Sequence, residues 1–137
     1  MRGRQFLELA REIIKGGSER HRRGAAGRAY YALMLECRDA LDAWGFPAPR
    51  RDAVHGFVRQ RFDSTANADF RAICAMLVQL GKLRNEADYA LNASFVSTSD
   101  VQQAITNAAS ALRLLEDINA DANRRSAAVA DIRARWP

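Results

Sequence analysis

The sequence predicts an all-α protein, an up-and-down bundle of about five helices. Apolar residues recur at helical spacing through most of the chain, strand signals are nearly absent, and no low-complexity block or linker divides it. The 137 residues have the length of one domain that can bury one adequate core. We expect residues 1–122 to form the bundle and residues 123–137 to form a basic C-terminal helical extension or arm.

The first two helices are predicted from apolar stripes and from the residues that interrupt them. Residues 3–15 carry an apolar face, and Gly16 and Gly17 end that helix. A long second helix is expected over residues 19–44, before the prolines of GFPAP at 45–49. Its stripe has spacings of three and four residues, as one face of a helix requires: Ala26, Tyr30, Leu33, Cys37, Leu41 and Trp44.

Three further helices are expected after the prolines. Residues 52–62 form a short third helix, and the polar stretch DSTANAD leads into a fourth over residues 68–91. The fifth helix opens at STSDVQQA, where Ser99 and Gln102 have the spacing of a capping box. We expect the apolar seams of helices 2 and 5 to serve both the internal core and a partner chain.

Charge and composition narrow the classes of partner. The net charge is +5, the isoelectric point is about 9.9, and arginine greatly outnumbers lysine, a balance that favours polyanionic partners. No apolar run approaches the roughly 20 residues that span a bilayer, and the N-terminus lacks a signal-peptide pattern, so we expect a cytoplasmic protein without a membrane partner. Because His and Cys do not cluster, no metal site and no cofactor are expected.

The end of helix 4, KLRNEADYAL at residues 82–91, is more polar than the stripe that leads to it. The positions that follow Leu77 and Leu80 on that stripe are Arg84 and Asp88, which are four residues apart and can pair across one turn. A half-buried ion pair is costly to desolvate and therefore has a structural partner or a function. The residues alone leave both open: a salt bridge that sets the register of a core or dimer seam, or a functional site.

Three segments together resemble the HEPN domain: GRAYYALMLECRDAL in helix 2, AVHGFV in helix 3 and LRNEADYAL in helix 4. R-x-Y-Y-A occupies residues 28–32 and R-x-x-A-D-Y residues 84–89, in the order and separation of small stand-alone bacterial HEPN proteins. The resemblance extends over about residues 3 to 120. It implies an up-and-down bundle that usually dimerises and brings two copies of the helix-4 motif together in a cleft.

Many members of that family are metal-independent ribonucleases, often toxins or antiviral effectors, and others pair with a nucleotidyltransferase that modifies a tyrosine near the motif. The ribonuclease motif is an arginine, a polar residue, three more positions and a histidine. Arg84 and Asn85 match its first two positions, but Tyr89 occupies the histidine position. Since a tyrosine with an ordinary pKa of about 10 is a poor base near neutral pH, we expect the cleft to bind RNA more readily than it cuts.

The candidate catalytic residues are Arg84, Asn85, Asp88 and Tyr89, with His55 as an alternative base. Arg84 would bind a phosphate and stabilise developing negative charge. The pairing of Asp88 with Arg84 argues against Asp88 as the base. His55 lies near the start of helix 3 and either faces the cleft or packs structurally against helix 2 or helix 4.

Helix 2 supplies the remaining candidates. Arg84 and Arg28 are expected to contact nucleic acid, with Arg22 and Arg23 from the basic segment KGGSERHRR beside them. We also expect Arg28 to meet the carboxylate of Asp88. Tyr30 lies on the apolar stripe and should be a core residue whose hydroxyl finds one polar partner.

Three functions remain open at this point. The first, which we favour, is a HEPN protein that binds RNA or a nucleotide, has weak or no activity alone, and belongs to a toxin–antitoxin or phage-defence pair. The second is an active metal-independent HEPN endoribonuclease, a toxin with a variant base. The third is a structural dimerisation adaptor. The expected partners are RNA or a nucleotide, a second copy of the chain in a homodimer, and a cognate nucleotidyltransferase or other antitoxin.

Overall fold

The computed structural model describes residues 1–137 and contains six α-helices and no strand, which confirms the all-α bundle. Consecutive helices contact one another, and α2 is central, with α1, α4 and α5 packed around it. None of the helices combines the length and the apolar character that crossing a membrane requires. The helices are α1 (Gly3–Ile14), α2 (Glu19–Ala43), α3 (Ala53–Phe62), α4 (Ala68–Tyr89), α5 (Thr98–Ala120) and α6 (Ala122–Arg135).

The helix boundaries follow from local chemistry. After α1, Gly17 adopts φ +74°, a conformation that glycine reaches without steric penalty. The predicted capping box at Ser99 and Gln102 is wrong by two positions. The structure places the box at Ser97, whose hydroxyl accepts from the Asp100 amide at 3.1 Å while the Asp100 carboxylate accepts from the Ser97 amide at 3.2 Å. A carboxylate in the first turn also interacts favourably with the helix dipole, which a Gln side chain cannot do.

One hydrophobic core runs through the bundle. The apolar stripe predicted for α2 is buried there, including Leu33, Cys37 and Leu41. An aromatic cluster joins the ends of three helices: the rings of Phe62 and Phe70 lie 4.8 Å apart, and Trp44 stacks on Phe70 at 6.1 Å. This cluster connects α2, α3 and α4 at the end of the bundle where α3 meets α4.

The C-terminal extension is a sixth helix that packs back onto the bundle. Ala128 and Ile132 of α6 are fully buried and belong to the main core. Asp121 caps the helix by accepting hydrogen bonds from the amides of Asn123 and Arg124. The extension is therefore anchored along its length and is not a free arm.

Candidate functional site

A polar cleft of about 560 Å³ lies between α3 and α4, with Tyr30 of α2 also in its lining. Three basic side chains and one acidic side chain border it, so its charge favours an anionic ligand. The cleft contains three of the predicted site residues, which come from two different helices. Its polar lining consists of Tyr30, His55, Arg59, Lys82, Arg84, Asn85 and Glu86.

Arg84 forms the ion pair that the helix spacing predicts. Its Nε lies 2.9 Å from the Asp88 carboxylate, and the two side chains are 19% and 43% exposed. The Nε proton is not aligned with that carboxylate, so the contact is ionic and Nε makes no hydrogen bond. Nη2 donates to the Tyr31 hydroxyl at 2.9 Å, and Nη1 donates to the Asn85 side chain at 3.3 Å. The guanidinium is thus held in place while it still borders the cleft.

Tyr89, at the histidine position of the ribonuclease motif, lies outside the lining of the cleft. Its side chain is largely exposed, and the Arg84 guanidinium carbon lies 5.7 Å from the centre of its ring. The Arg84 guanidinium is also 5.3 Å from the Tyr31 ring, so it lies close to two aromatic side chains. Tyr89 therefore contacts the site residue Arg84 from the solvent side.

His55 reaches the cleft from α3 and lies against two tyrosines. Its Nδ1 shares a hydrogen bond of 2.6 Å with the Tyr30 hydroxyl, and the two rings stack with their centres 5.7 Å apart. Burial raises the pKa of Tyr30 to about 12, with a further contribution from Tyr31, so this hydroxyl keeps its proton. The predicted polar partner of Tyr30 is therefore His55. The second ring nitrogen, Nε2, has no partner within the protein.

The electrostatics of the cleft keep His55 neutral. Burial lowers the pKa of His55 below its usual value and the positive charge of Arg84 lowers it further, while Asp52 opposes the shift and Arg59 adds the smallest lowering. In the tautomer whose Nδ1–H donates to the Tyr30 oxygen, the neutral imidazole can accept a proton at its open Nε2. The sequence left two alternatives for His55, packing against α2 and facing the cleft. The structure shows that His55 does both.

Besides Lys82 and Glu86 of the lining, three residues that shape the site escaped the sequence analysis. Arg59 lies four residues after His55, so the helical period places both on one face of α3, and this signal could have found it. Gly81 lies within α4, where a glycine is unfavourable; a Cβ there would lie 3.3 Å from the Tyr30 ring, so glycine permits the close approach of α2 and α4. Tyr31, quoted only as part of a motif, is the residue that holds Arg84.

Arg23, predicted to contact nucleic acid, has a structural role. It is 9% exposed, and its guanidinium donates to four backbone carbonyls at the end of α4 and beyond, at distances of 2.9 to 3.2 Å. The acceptors are the oxygens of Glu86, Ala87, Ala90 and Ala93. The Glu86 and Ala90 carbonyls also accept from the backbone amides of Ala90 and Ala93, whereas the carbonyls of Ala87 and Ala93 depend on Arg23.

Arg22 likewise binds the backbone. Its Nε donates to the Val96 carbonyl at 3.0 Å, and its Nη1 donates to the Gly17 carbonyl at 2.9 Å. Arg22 and Arg23 together fix the loop between α4 and α5, and neither lines the cleft. We therefore leave both out of the proposed binding site.

Arg28 does not meet Asp88, so that prediction is wrong. Asp88 pairs with Arg84 on its own helix, while Arg28 lies over the Phe6 ring of α1, with 5.8 Å from the guanidinium carbon to the ring centre. The Nε of Arg28 is buried and has no hydrogen-bond partner. A half-buried arginine without a carboxylate or carbonyl partner is unusual, because an unmatched buried donor is costly.

Comparisons with known proteins do not supply a relative. A scan against protein-family models, a search of curated proteins and a search of solved structures each returned no match. The likeness to the HEPN domain is thus a hypothesis that rests on the motifs in α2 and α4. What the cleft can do chemically follows from its own groups, which can bind an anion and can accept one proton at His55.

Proposed function

We propose that the protein is a HEPN-like module that binds RNA or a nucleotide in the cytoplasm and holds a phosphate group in the cleft between α3 and α4. One observation carries the proposal. The Arg84 guanidinium is fixed by Tyr31 and Asp88 at the border of a cleft that also contains Arg59 and Lys82. Prepositioned arginines bind phosphate strongly because their planar donors match its oxygens, and little side-chain freedom is lost on binding.

The size and charge of the cleft support a nucleotide unit as the ligand. Its volume of about 560 Å³ falls within the roughly 300–1,000 Å³ typical of ligand sites. Arg59, Lys82 and Arg84 outnumber the single carboxylate of Glu86, so a phosphate would enter a positive field. Asn85 adds an amide that can donate to a sugar or base oxygen.

A second function, RNA cleavage without a metal ion, is favoured by the geometry of His55. Its free Nε2 could take the proton of a ribose 2′-hydroxyl, and the resulting oxygen would attack the adjacent phosphorus. The bond to the 5′-oxygen breaks, that oxygen takes a proton from water, and a 2′,3′-cyclic phosphate remains. Arg84 would stabilise the negative charge on the phosphorane oxygens, and the Tyr30 oxygen would accept the Nδ1–H of the imidazolium.

The wider setting of the proposal comes from the motif resemblance. The module would act as a homodimer and as half of a toxin–antitoxin or phage-defence pair, with a nucleotidyltransferase or other antitoxin as its partner. Support for a second copy comes from exposed apolar side chains in and just after α4: Val78 at 50%, Leu91 at 63% and Tyr89 at 73%. The alternative, a structural adaptor, would use the Arg84–Asp88 pair only to specify that dimer.

The test is the binding of fluorescently labelled single-stranded RNA without divalent metal, measured over a range of salt concentrations. Arg84→Ala should weaken binding about tenfold or more, because it removes charge-assisted hydrogen bonds of roughly 1.5–3 kcal/mol. The slope of log affinity against log salt should fall by about 0.7, the value for one lost phosphate contact on a single strand. Arg113→Ala, which removes the same charge from the exposed surface of α5, is the matched control.

The outcomes separate the three functions. Equal affinities for Arg84→Ala and Arg113→Ala would overturn the proposal, and loss of the dimer in Arg84→Ala without any RNA binding would support the adaptor. The same mixtures, resolved on a denaturing gel, test the second function. Cleavage that is lost in His55→Asn would identify a ribonuclease, whereas intact RNA with every protein would leave a binding module.

A further inference from the structure

We infer that Arg135, at the end of α6, is a positioning residue for the cleft, because it holds α3 and thereby sets the positions of His55 and Arg59. The effect on RNA binding rests on the proposed function, but the effect on α3 does not. No residue of α6 lines the cleft, so Arg135 acts on it indirectly, and its direct contacts outside α6 are with the C-terminal end of α3.

The helix α3 is too short to be stable by itself and depends on contacts with the rest of the bundle. It has 10 residues, and isolated helices shorter than about 12–15 residues are marginal in water. At its N-terminus, the Asp52 side chain makes no capping hydrogen bond, and the preceding Arg51 adopts φ +63°, a left-handed conformation that is unfavourable for a residue with a Cβ. The N-terminal connection is therefore weak, and contacts elsewhere must fix the helix.

Apolar packing fixes part of α3, since Val58 and Phe62 are fully buried, and Arg135 adds polar contacts at the C-terminal end of the helix. Its Nη1 donates to the carbonyls of Gln60 at 3.2 Å and Asp63 at 2.9 Å, and its Nη2 donates to the carbonyl of Arg61 at 2.6 Å. Carbonyls in the last turn of a helix lack intrahelical partners and carry its negative dipole end. One guanidinium from α6 thus contacts three acceptors at the end of α3, of which the Gln60 carbonyl also accepts from the Asp63 amide and the other two depend on Arg135.

The guanidinium is itself fixed by a hydrogen-bonded network. Asp131, one turn earlier on α6, accepts from Arg135 at 2.9 and 3.2 Å through Oδ2 and from the Ser64 hydroxyl at 3.1 Å through Oδ1. Ser64 is 2% exposed, and its oxygen accepts from the amides of Ala66 and Asn67 just before α4. The network therefore joins α6 to both ends of the α3–α4 connection.

A second contact brings the same two segments together. The Arg61 guanidinium carbon lies 4.1 Å from the ring centre of Phe57 in α3 and 4.1 Å from that of Trp136, the residue after Arg135. Arg61 is thus stacked between an aromatic residue of α3 and one that follows α6. Loss of the Arg135 contacts would loosen the C-terminal turn of α3, where Phe62 stays packed in the aromatic cluster, and with it the wall of the cleft that carries His55 and Arg59.

The experiment compares Arg135→Ala with Arg133→Ala, which removes an exposed arginine of the same helix whose guanidinium lies over Phe46, between α2 and α3, and makes no hydrogen bond to α3. Amide hydrogen exchange should be about tenfold faster across α3 in Arg135→Ala, with α2, α4 and α5 unchanged, because only the local opening of α3 becomes easier. The affinity for single-stranded RNA should fall about threefold to tenfold. Arg135→Lys, which keeps the charge but cannot reach three carbonyls at once, should lie between the two.

A readout at His55 distinguishes positioning from general stabilisation. In Arg135→Ala the ring resonances of His55 should shift, and its pKa should rise toward the usual value, since burial and Arg84 would lower it less once α3 moves. Both readouts should stay at their wild-type values in Arg133→Ala. Unchanged α3 exchange, or an unchanged His55 signal beside faster exchange, would overturn the inference.

Two further outcomes are decisive. If Arg135→Ala does not fold, Ser64→Ala and Arg135→Lys replace it, and faster exchange in all helices together would show a general stabiliser and overturn the inference. If amide exchange in α3 is faster but RNA affinity is unchanged, RNA binding in the cleft does not depend on the position of α3, and the role of Arg135 as a positioning residue for the cleft is overturned. Failure of the proposed function is visible separately, because Arg84→Ala would then leave RNA binding intact while the α3 and His55 readouts, taken without RNA, still respond to Arg135.

Discussion

Arg23 of α2 and Arg84 of α4 both lie at the last turns of α4, yet their guanidinium donors contact different groups. The Arg23 guanidinium donates to four backbone carbonyls, and its side chain is 10% exposed. Arg84 is only slightly more exposed, at 19%, but it contacts the side chains of Tyr31, Asn85 and Asp88 and borders an open cleft. Burial alone therefore does not separate the structural Arg23 from Arg84, the arginine proposed to bind the ligand, whereas the identity of the acceptors does.

The largest expected effect is the loss of stability on replacing Arg23. Arg23→Ala leaves the carbonyls of Ala87 and Ala93 without a donor, and we expect the free energy of unfolding to fall by about 3 kcal/mol. This corresponds to a fall in Tm of about 10 °C in a thermal scan. Arg113→Ala, at an exposed site, should change the stability by less than about 0.5 kcal/mol.

If Arg84→Ala were destabilised as much as Arg23→Ala, the claim that only Arg23 serves the stability of the fold would be wrong. The structure instead predicts that Arg84→Ala unfolds close to the wild-type temperature, because its guanidinium contacts solvent-accessible side chains and leaves no buried carbonyl unpaired.

A smaller effect on stability and binding is expected at Arg28. This arginine extends the comparison because it has neither backbone carbonyl partners, as Arg23 has, nor polar side-chain partners, as Arg84 has. Its Nε is buried and unpaired beside Phe6, so Arg28→Gln should leave the stability nearly unchanged. If Arg28 belongs with Arg84, the same change should weaken RNA binding about threefold and reduce its salt dependence. Salt titrations of binding for wild type, Arg28→Gln and Arg38→Gln, on the same helix, provide the measurement. Equal affinities for the two variants would remove Arg28 from the binding surface.

The smallest effect is a shift in the titration of His55. Burial is the main cause of its lowered pKa and Arg84 the next, so Arg84→Gln should raise the pKa of His55 part of the way toward 6.5. Because the folded state favours the neutral imidazole, the stability contributed by this group is present above about pH 6.5 and is lost as the pH falls below it. An NMR titration of the ring protons measures the shift. An unchanged or lower pKa would mean that Arg84 and His55 do not share one cleft.

The fold was predictable because helical periodicity is a local signal. The apolar stripe of α2, the glycines after α1 and the i,i+4 pair of Arg84 and Asp88 all follow from neighbours within one or two turns. The ion pair was therefore found correctly, as was Tyr30 as a core residue.

The contacts at the site that the sequence did not predict join residues that are far apart in the sequence. Arg23 binds carbonyls 63 to 70 positions away, and a backbone carbonyl carries no residue type that a motif could display. The basic segment around Arg22 and Arg23 therefore has the composition of a phosphate-binding patch although its charges serve a loop. The position of His55 depends on the path from α2 to α3 through GFPAP, which local pattern does not determine.

The most direct test of the distinction between the two arginines is an NMR titration of the arginine side-chain Nε–H signals with a short single-stranded RNA. We predict that the Arg84 signal shifts progressively and saturably as RNA is added, while the Arg23 signal, whose guanidinium is bound to the backbone, stays in place. An Arg84 signal that does not move while the RNA binds elsewhere would contradict the assignment of the cleft as the phosphate site. Equal shifts of both signals would contradict the division of these arginines into one that stabilises the fold and one that binds the ligand.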